Sequence, residues 1–175
     1  DAPTLLIAPI ERTVAPGALE LIELPWNDTL RNDLGDPASV LSPGGAYRLR
    51  SDVPVTVTQF NPLAFQLATG CTDRSCFSFT NDASLLLPTH VLTGSYVAMS
   101  RPTHTLTVDG TRGVSSGFVA IVGTSDVPVE VEVRVTAPTL AGRIGTGLGA
   151  LVPGTPATFT LAAGDVLQLL SAVPG

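Results

Sequence analysis

The sequence contains no lysine; all nine basic residues are arginine. Without lysine there is no side chain to form a Schiff base, and none to serve a phosphate-binding loop. A genome rich in G and C, which favours arginine codons, accounts for the bias without any mechanism. Charge of either sign is scarce, at 14% of residues against roughly 25% in an average domain. Aromatics make up only 5%. No apolar run approaches the ~18 residues that cross a bilayer as a helix. The formal net charge of −6, with the arginines scattered, argues against nucleic acid and anionic membranes as partners. No signal peptide is visible, and a start at Asp1 suits a chain from which such a segment has been removed.

What is present is apolar, turn-rich and repetitive. Hydrophobic residues reach 44%, and 17 glycines and 15 prolines punctuate the chain. That is the pattern of many short strands joined by tight turns. The phrase Ser-Asp-Val-Pro-Val occurs at Ser51–Val55 and again at Ser125–Val129. Each copy leads into an alternation: Val53, Val55, Val57 in the first, and Val129, Val131, Val133, Val135 in the second. A period of two puts each set on one face of a sheet. A second repeat relates Thr13–Leu21, with its Pro16-Gly17 turn, to Thr160–Leu169, with its turn at Gly164.

Strands are predicted at Ala46–Arg50, Val53–Phe60, Leu85–Leu87, Tyr96–Ser100, Thr103–Val108, Gly117–Val122, Pro128–Thr136, Pro156–Leu161 and Val166–Leu170. Trp26–Gly45 reads as a polar loop, Asn61–Phe77 shows no pattern, and His90–Gly94 has room for one turn of helix. The expected fold is all-β, an antiparallel β-sandwich-like architecture built from recurring hairpins. Blades of a propeller or a solenoid are the alternative. Residues 1–175 are expected to form one β-rich domain, or two packed sub-modules of about 1–110 and 111–175, cut from a longer repeat-containing chain.

Candidate chemistry is sparse. Cys71 and Cys76 bracket four residues. They can close a small disulfide loop in an oxidising compartment, remain free thiols, or bind zinc. Zinc needs two further ligands, and His90 and His104 are the only histidines. Asp28, Asp33 and Asp36 lie in an Asx-rich loop as candidate calcium ligands, without the spacing of an EF-hand. Asn27-Asp-Thr29 is a glycosylation sequon. Trp26 and Tyr47 are the candidate aromatic platforms for a glycan. Gly113-Val-Ser-Ser-Gly117 matches a nucleophile elbow around Ser115, but a turn precedes it and a strand follows it, whereas the elbow needs strand then helix. Gly145-Thr-Gly-Leu-Gly-Ala150 matches a dinucleotide fingerprint with no room for the required helix before Pro153-Gly154. Glu130, Glu132 and Arg134 share the solvated face of one strand.

Longer stretches resemble a family. Arg50–Leu63 (Arg-Ser-Asp-Val-Pro-Val-Thr-Val-Thr-Gln-Phe-Asn-Pro-Leu) and Thr80–His90 (Thr-Asn-Asp-Ala-Ser-Leu-Leu-Leu-Pro-Thr-His) look like the N-terminal domain of IgG Fc-binding protein and its bacterial relatives. Phe118–Thr136 with Ala137-Pro-Thr139, and Ala163–Leu169, resemble its continuation. The likeness covers most of Arg12–Ala172, and the segment around Cys71 and Cys76 looks like a local insertion. The resemblance implies a secreted or cell-surface binding or structural module of adhesion or matrix type, with no enzymatic activity and no cofactor. Its expected partner is a protein or glycan at the cell surface, and strand edges offer a route to self-association. A carbohydrate-binding module, with or without calcium, is the alternative, and a serine hydrolase using Ser115 the second.

Overall fold

The computed structural model describes residues 9–25, 27–31, 36–60, 82–108 and 110–172. The chain forms two compact units, one of Asp1–Arg48 with Val97–Gly175 and the other Leu49–Tyr96. Both are built from β-structure, and every paired strand among the described residues runs antiparallel to its neighbour. The fold is all-β and sandwich-like.

The smaller unit holds β2 (Val57–Phe60) paired with β3 (Ala83–Leu86), followed by one 3₁₀ turn at Thr89–Val91 after Pro88. The predicted strand from Val53 is shorter than its pattern. Val53 and Val55 continue the alternation, yet the ladder begins only at Val57, opposite Leu86. Alternation makes a strand only where another backbone is available to pair.

The larger unit begins its ladders with β1 (Val40–Ser42), inside the segment predicted as loop. Three residues are too few to show a period, and β1 exists because the strand Val166–Leu170 offers it an edge. β4 (His104–Val108) and β5 (Thr111–Ser115) form a hairpin, and β6 (Phe118–Val122) follows directly. Next come β7 (Val129–Arg134), β8 (Pro156–Leu161) and β9 (Val166–Leu170). One sheet has the order β1-β9-β6, and β7 pairs with β8 in a separate ribbon.

The two layers meet through side chains of opposite facing strands. Leu167 and Leu169 of β9, with Ile121 of β6, face Val131, Val133 and Val135 of the β7 strand and its continuation, and Ala157, Phe159 and Leu161 of β8. The four valines that alternate from Val129 are half-buried, while Glu130, Glu132 and Arg134 are exposed. Arg134 lies 3.6 Å from Glu132 on that solvated face. Leu148 and Leu151 complete the core from the Gly-rich connection between β7 and β8. That connection is loop, with Gly145 and Gly147 at φ 90° and 70°, and holds none of the helix a dinucleotide site needs.

β9 is buried along its whole length. Its second face carries Val166, Gln168 and Leu170. There the Gln168 amide donates to the carbonyl of Leu30 at 3.1 Å, in the turn that follows Asn27. The crossing from β8 to β9 is a turn in which Asp165 N–H donates to Ala162 C=O at 3.1 Å and Gly164 adopts φ +84°. The related segment repeats this geometry: Ala18 N–H donates to Ala15 C=O at 3.0 Å, with Gly17 at φ +76°. Pro16 before Gly17 is type II turn chemistry. No ladder joins its two arms. An Arg12–Glu20 ion pair at 3.4 Å spans them instead, and Leu19 is 93% exposed. Tyr96–Ser100, predicted as a strand, also lacks a ladder, and Val97 and Met99 lie open to solvent.

Candidate functional site

The chemistry-bearing side chains that the fold brings together lie at the open end of the β4–β5 hairpin. Register pairs His104 with Ser115 across the two strands. Cross-strand partners share a face and stand close enough to interact. Arg101, three residues before His104, reaches both. Its Nη1 donates to the His104 ring, 2.8 Å from Nδ1, and its Nη2 donates to Ser115 Oγ at 2.6 Å.

The backbone beneath Arg101 is tied down. Thr103 Oγ1 donates to the Ser171 carbonyl at 2.9 Å and also contacts the Ser171 hydroxyl. Gly117 N–H reaches Thr103 Oγ1 at 3.4 Å, and Ser171 N–H donates to Gly117 C=O at 2.8 Å. Gly117 packs so closely that a Cβ there would collide with the Arg101 carbonyl. Glycine is therefore required for the segment before β4 to approach the start of β6.

This arrangement bears on Ser115 as a nucleophile. A hydroxyl is activated by a neighbour that takes its proton. The neighbour here is a guanidinium, which has no acceptor atom. Arg101 stands at both Ser115 and His104; Arg101 and His104 are exposed and Ser115 is half-buried.

A sequence model of the family described as IgGFc binding protein matches residues 82–173, more than half of the chain. The chain belongs to this family. No curated protein and no solved structure matches it. The IgGFc binding region contains β3 to β9, and with them Arg101, His104, Ser115, Thr103 and Gly117. Asp28, Asp36 and Tyr47 fall before it.

The remaining predicted positions divide between loop architecture and residues outside the described set. Cys71, Cys76, Trp26 and Asp33 are outside it. Asp28 lies in the turn after Asn27, and Asp36 borders an open depression with Ala38, Leu140, Arg143 and Ile144. No cluster of three or more His, Cys, Asp or Glu side chains suited to a metal occurs among the described residues. Asn27 spends its side chain internally. Oδ1 accepts from Thr29 N–H at 3.0 Å and from the Thr29 hydroxyl at 2.6 Å, while Nδ2 donates to Gly45 C=O at 2.9 Å. The sequon's nitrogen is therefore engaged in the fold. Tyr47 donates its hydroxyl to Pro25 C=O at 2.5 Å, and burial raises its pKa above the ordinary 10.0. Its ring is about half exposed. Among the described residues no helix is long and apolar enough to cross a membrane.

Sequence reasoning missed Arg101. Arg101-Pro-Thr-His104 is an ordinary-looking tetrapeptide, and only the pairing of β4 with β5 reveals that Ser115 lies across from it.

Proposed function

We propose that this chain is a non-enzymatic binding and structural module of an extracellular or cell-surface protein, of adhesion or matrix type. The observation that carries the reading is membership of the IgGFc binding protein family through residues 82–173. The manner in which Ser115 is held supports the non-enzymatic part, since its hydroxyl accepts a hydrogen bond from the Arg101 guanidinium, which cannot take its proton. The partner is a protein or a glycan presented at a surface. A disulfide between Cys71 and Cys76 belongs to the same reading, because an extracellular compartment is oxidising; mass before and after reduction checks it.

Self-association through strand edges is part of the proposal. β7 pairs only with β8 among the described strands, so its other edge has no strand partner there.

The test is binding of the purified chain to immobilised Fc fragments, to mucin-type glycoproteins and to a glycan array, with and without calcium. Saturable binding to one of these supports the module. Binding to none, together with ester hydrolysis that Ser115→Ala abolishes, would replace it with the hydrolase. Light scattering over a range of concentrations reads the self-association separately.

A further inference from the structure

Arg101 differs from the other arginines whose side-chain partners are visible. Arg12 faces Glu20, Arg48 faces Asp126, and Arg134 faces Glu132. Arg101 faces a histidine and a serine and no carboxylate among the described residues. A guanidinium has five N–H donors in a planar fork. His104 and Ser115 take one each, which orients the fork and leaves the remainder for a ligand. The side chain is exposed, so an incoming anion need not displace a core.

The cluster is also held from below. The Thr103, Gly117 and Ser171 hydrogen bonds fix the backbone that carries Arg101, and the glycine contact lets that backbone sit against the start of β6. Ordering a long side chain before binding removes part of the entropy that an anion-arginine contact otherwise costs. The Ser115 hydroxyl and the His104 ring stand beside the fork as additional polar groups.

We infer that Arg101, His104 and Ser115 form a binding site for a single oxyanion, a carboxylate or sulfate group, presented by an acidic ligand. Planar bidentate recognition of carboxylate is the strength of arginine. The inference deepens the binding-module reading by naming the chemistry of what is bound. Its test uses simple anions, so it can fail while partner binding succeeds, and the reverse.

The chain has two histidines, and His90 lies outside the cluster as an internal control. The protein, with its histidine rings isotope-labelled, is titrated with acetate and separately with sulfate, with chloride at matched ionic strength as the reference. The expected result is a saturable shift of the His104 ring signals with His90 unmoved. Arg101→Gln should weaken the apparent affinity by roughly tenfold or more, as loss of a charge-assisted contact does. Arg101→Lys keeps the charge without the fork and should also weaken it, by less. Ser115→Ala should weaken it a few-fold. Acetate saturating where sulfate does not assigns the site to a carboxylate, and the converse assigns it to a sulfate. Equal shifts at both histidines, shifts reproduced by chloride, or affinity unchanged in Arg101→Gln with its methyl spectrum intact would each overturn the assignment.

Discussion

The hydroxyl of Ser39 accepts a hydrogen bond from the backbone N–H of Leu170 at 3.1 Å and donates to the Leu140 carbonyl at 2.6 Å. Ser39 is 1% exposed, so neither group has water as a substitute. One buried hydroxyl thus joins three segments far apart in sequence at the end of β9. Ser39→Ala leaves a buried donor and a buried acceptor unmet. It should destabilise the fold by about 1–3 kcal/mol. Ser125→Ala, which loses only the exposed bond from Val127 N–H, should stay within about 0.5 kcal/mol. Denaturant unfolding of the two variants checks the contrast.

The corner between β8 and β9 makes a sharper steric prediction. Gly123 donates its N–H to Asp165 C=O and accepts from Gly164 N–H, at 2.9 and 2.8 Å. A Cβ on Gly123 would run into the Ala162 carbonyl and sit 3.2 Å from Leu161 Cβ. Gly123→Ala should cost roughly 1–3 kcal/mol through forced displacement of the corner. Gly149 has open space around it and no left-handed φ. Gly149→Ala should be neutral or stabilising by up to about 1 kcal/mol. Equal effects in thermal melts would show that the corner is not tightly packed.

Core and surface leucines and valines should separate cleanly. Leu167 is 0% exposed and sits in the central cluster, whereas Val97 is 97% exposed. Leu167→Ala should destabilise by about 2–5 kcal/mol, through lost burial and the cavity left behind. Val97→Ala should change stability by less than about 0.5 kcal/mol. A large cost at Val97 would mean that a partner, such as a second copy, covers it in solution; concentration dependence of the melt would expose that.

Tyr47 gives a pH signature. Burial raises its folded-state pKa above 10.0, and its hydroxyl donates to Pro25 C=O. A raised acid pKa means that the folded state holds the proton more tightly than the unfolded state. The associated stability is fully present below the unfolded value of about 10 and is lost as pH climbs through the folded value. Wild type should therefore exceed Tyr47→Phe in denaturation midpoint at about pH 8, with the gap closing as pH climbs beyond the ordinary tyrosine value. A gap that widens with pH would reverse the sign of the shift.

Local pattern and tertiary pairing contributed differently to what is legible in the chain. The run Val129-Glu-Val-Glu-Val-Arg134 announced a strand with one buried and one solvated face, because side-chain direction in a strand depends only on parity. Gly17 and Gly164 announced their turns, because a left-handed φ is cheap only for glycine. Family-like words announced the kinship. The same parity argument applied to Val53 and Val55, and to Val97 and Met99, yet those residues are exposed and unpaired in any ladder. Periodicity says which residues share a face and not whether another strand lies beside them. β1 shows the converse, a strand with no sequence signal that forms because β9 supplies its partner.

Class, turn positions, the scarcity of charge and the absence of lysine chemistry were therefore determined by the sequence alone. Which strands carry the core, and the meeting of Arg101, His104 and Ser115, were decided by tertiary structure. The physical reason is that hydrogen-bonded pairing is a relation between distant segments. Register across β4 and β5 set His104 against Ser115. The Thr103 and Gly117 contacts then placed Arg101 where it touches both.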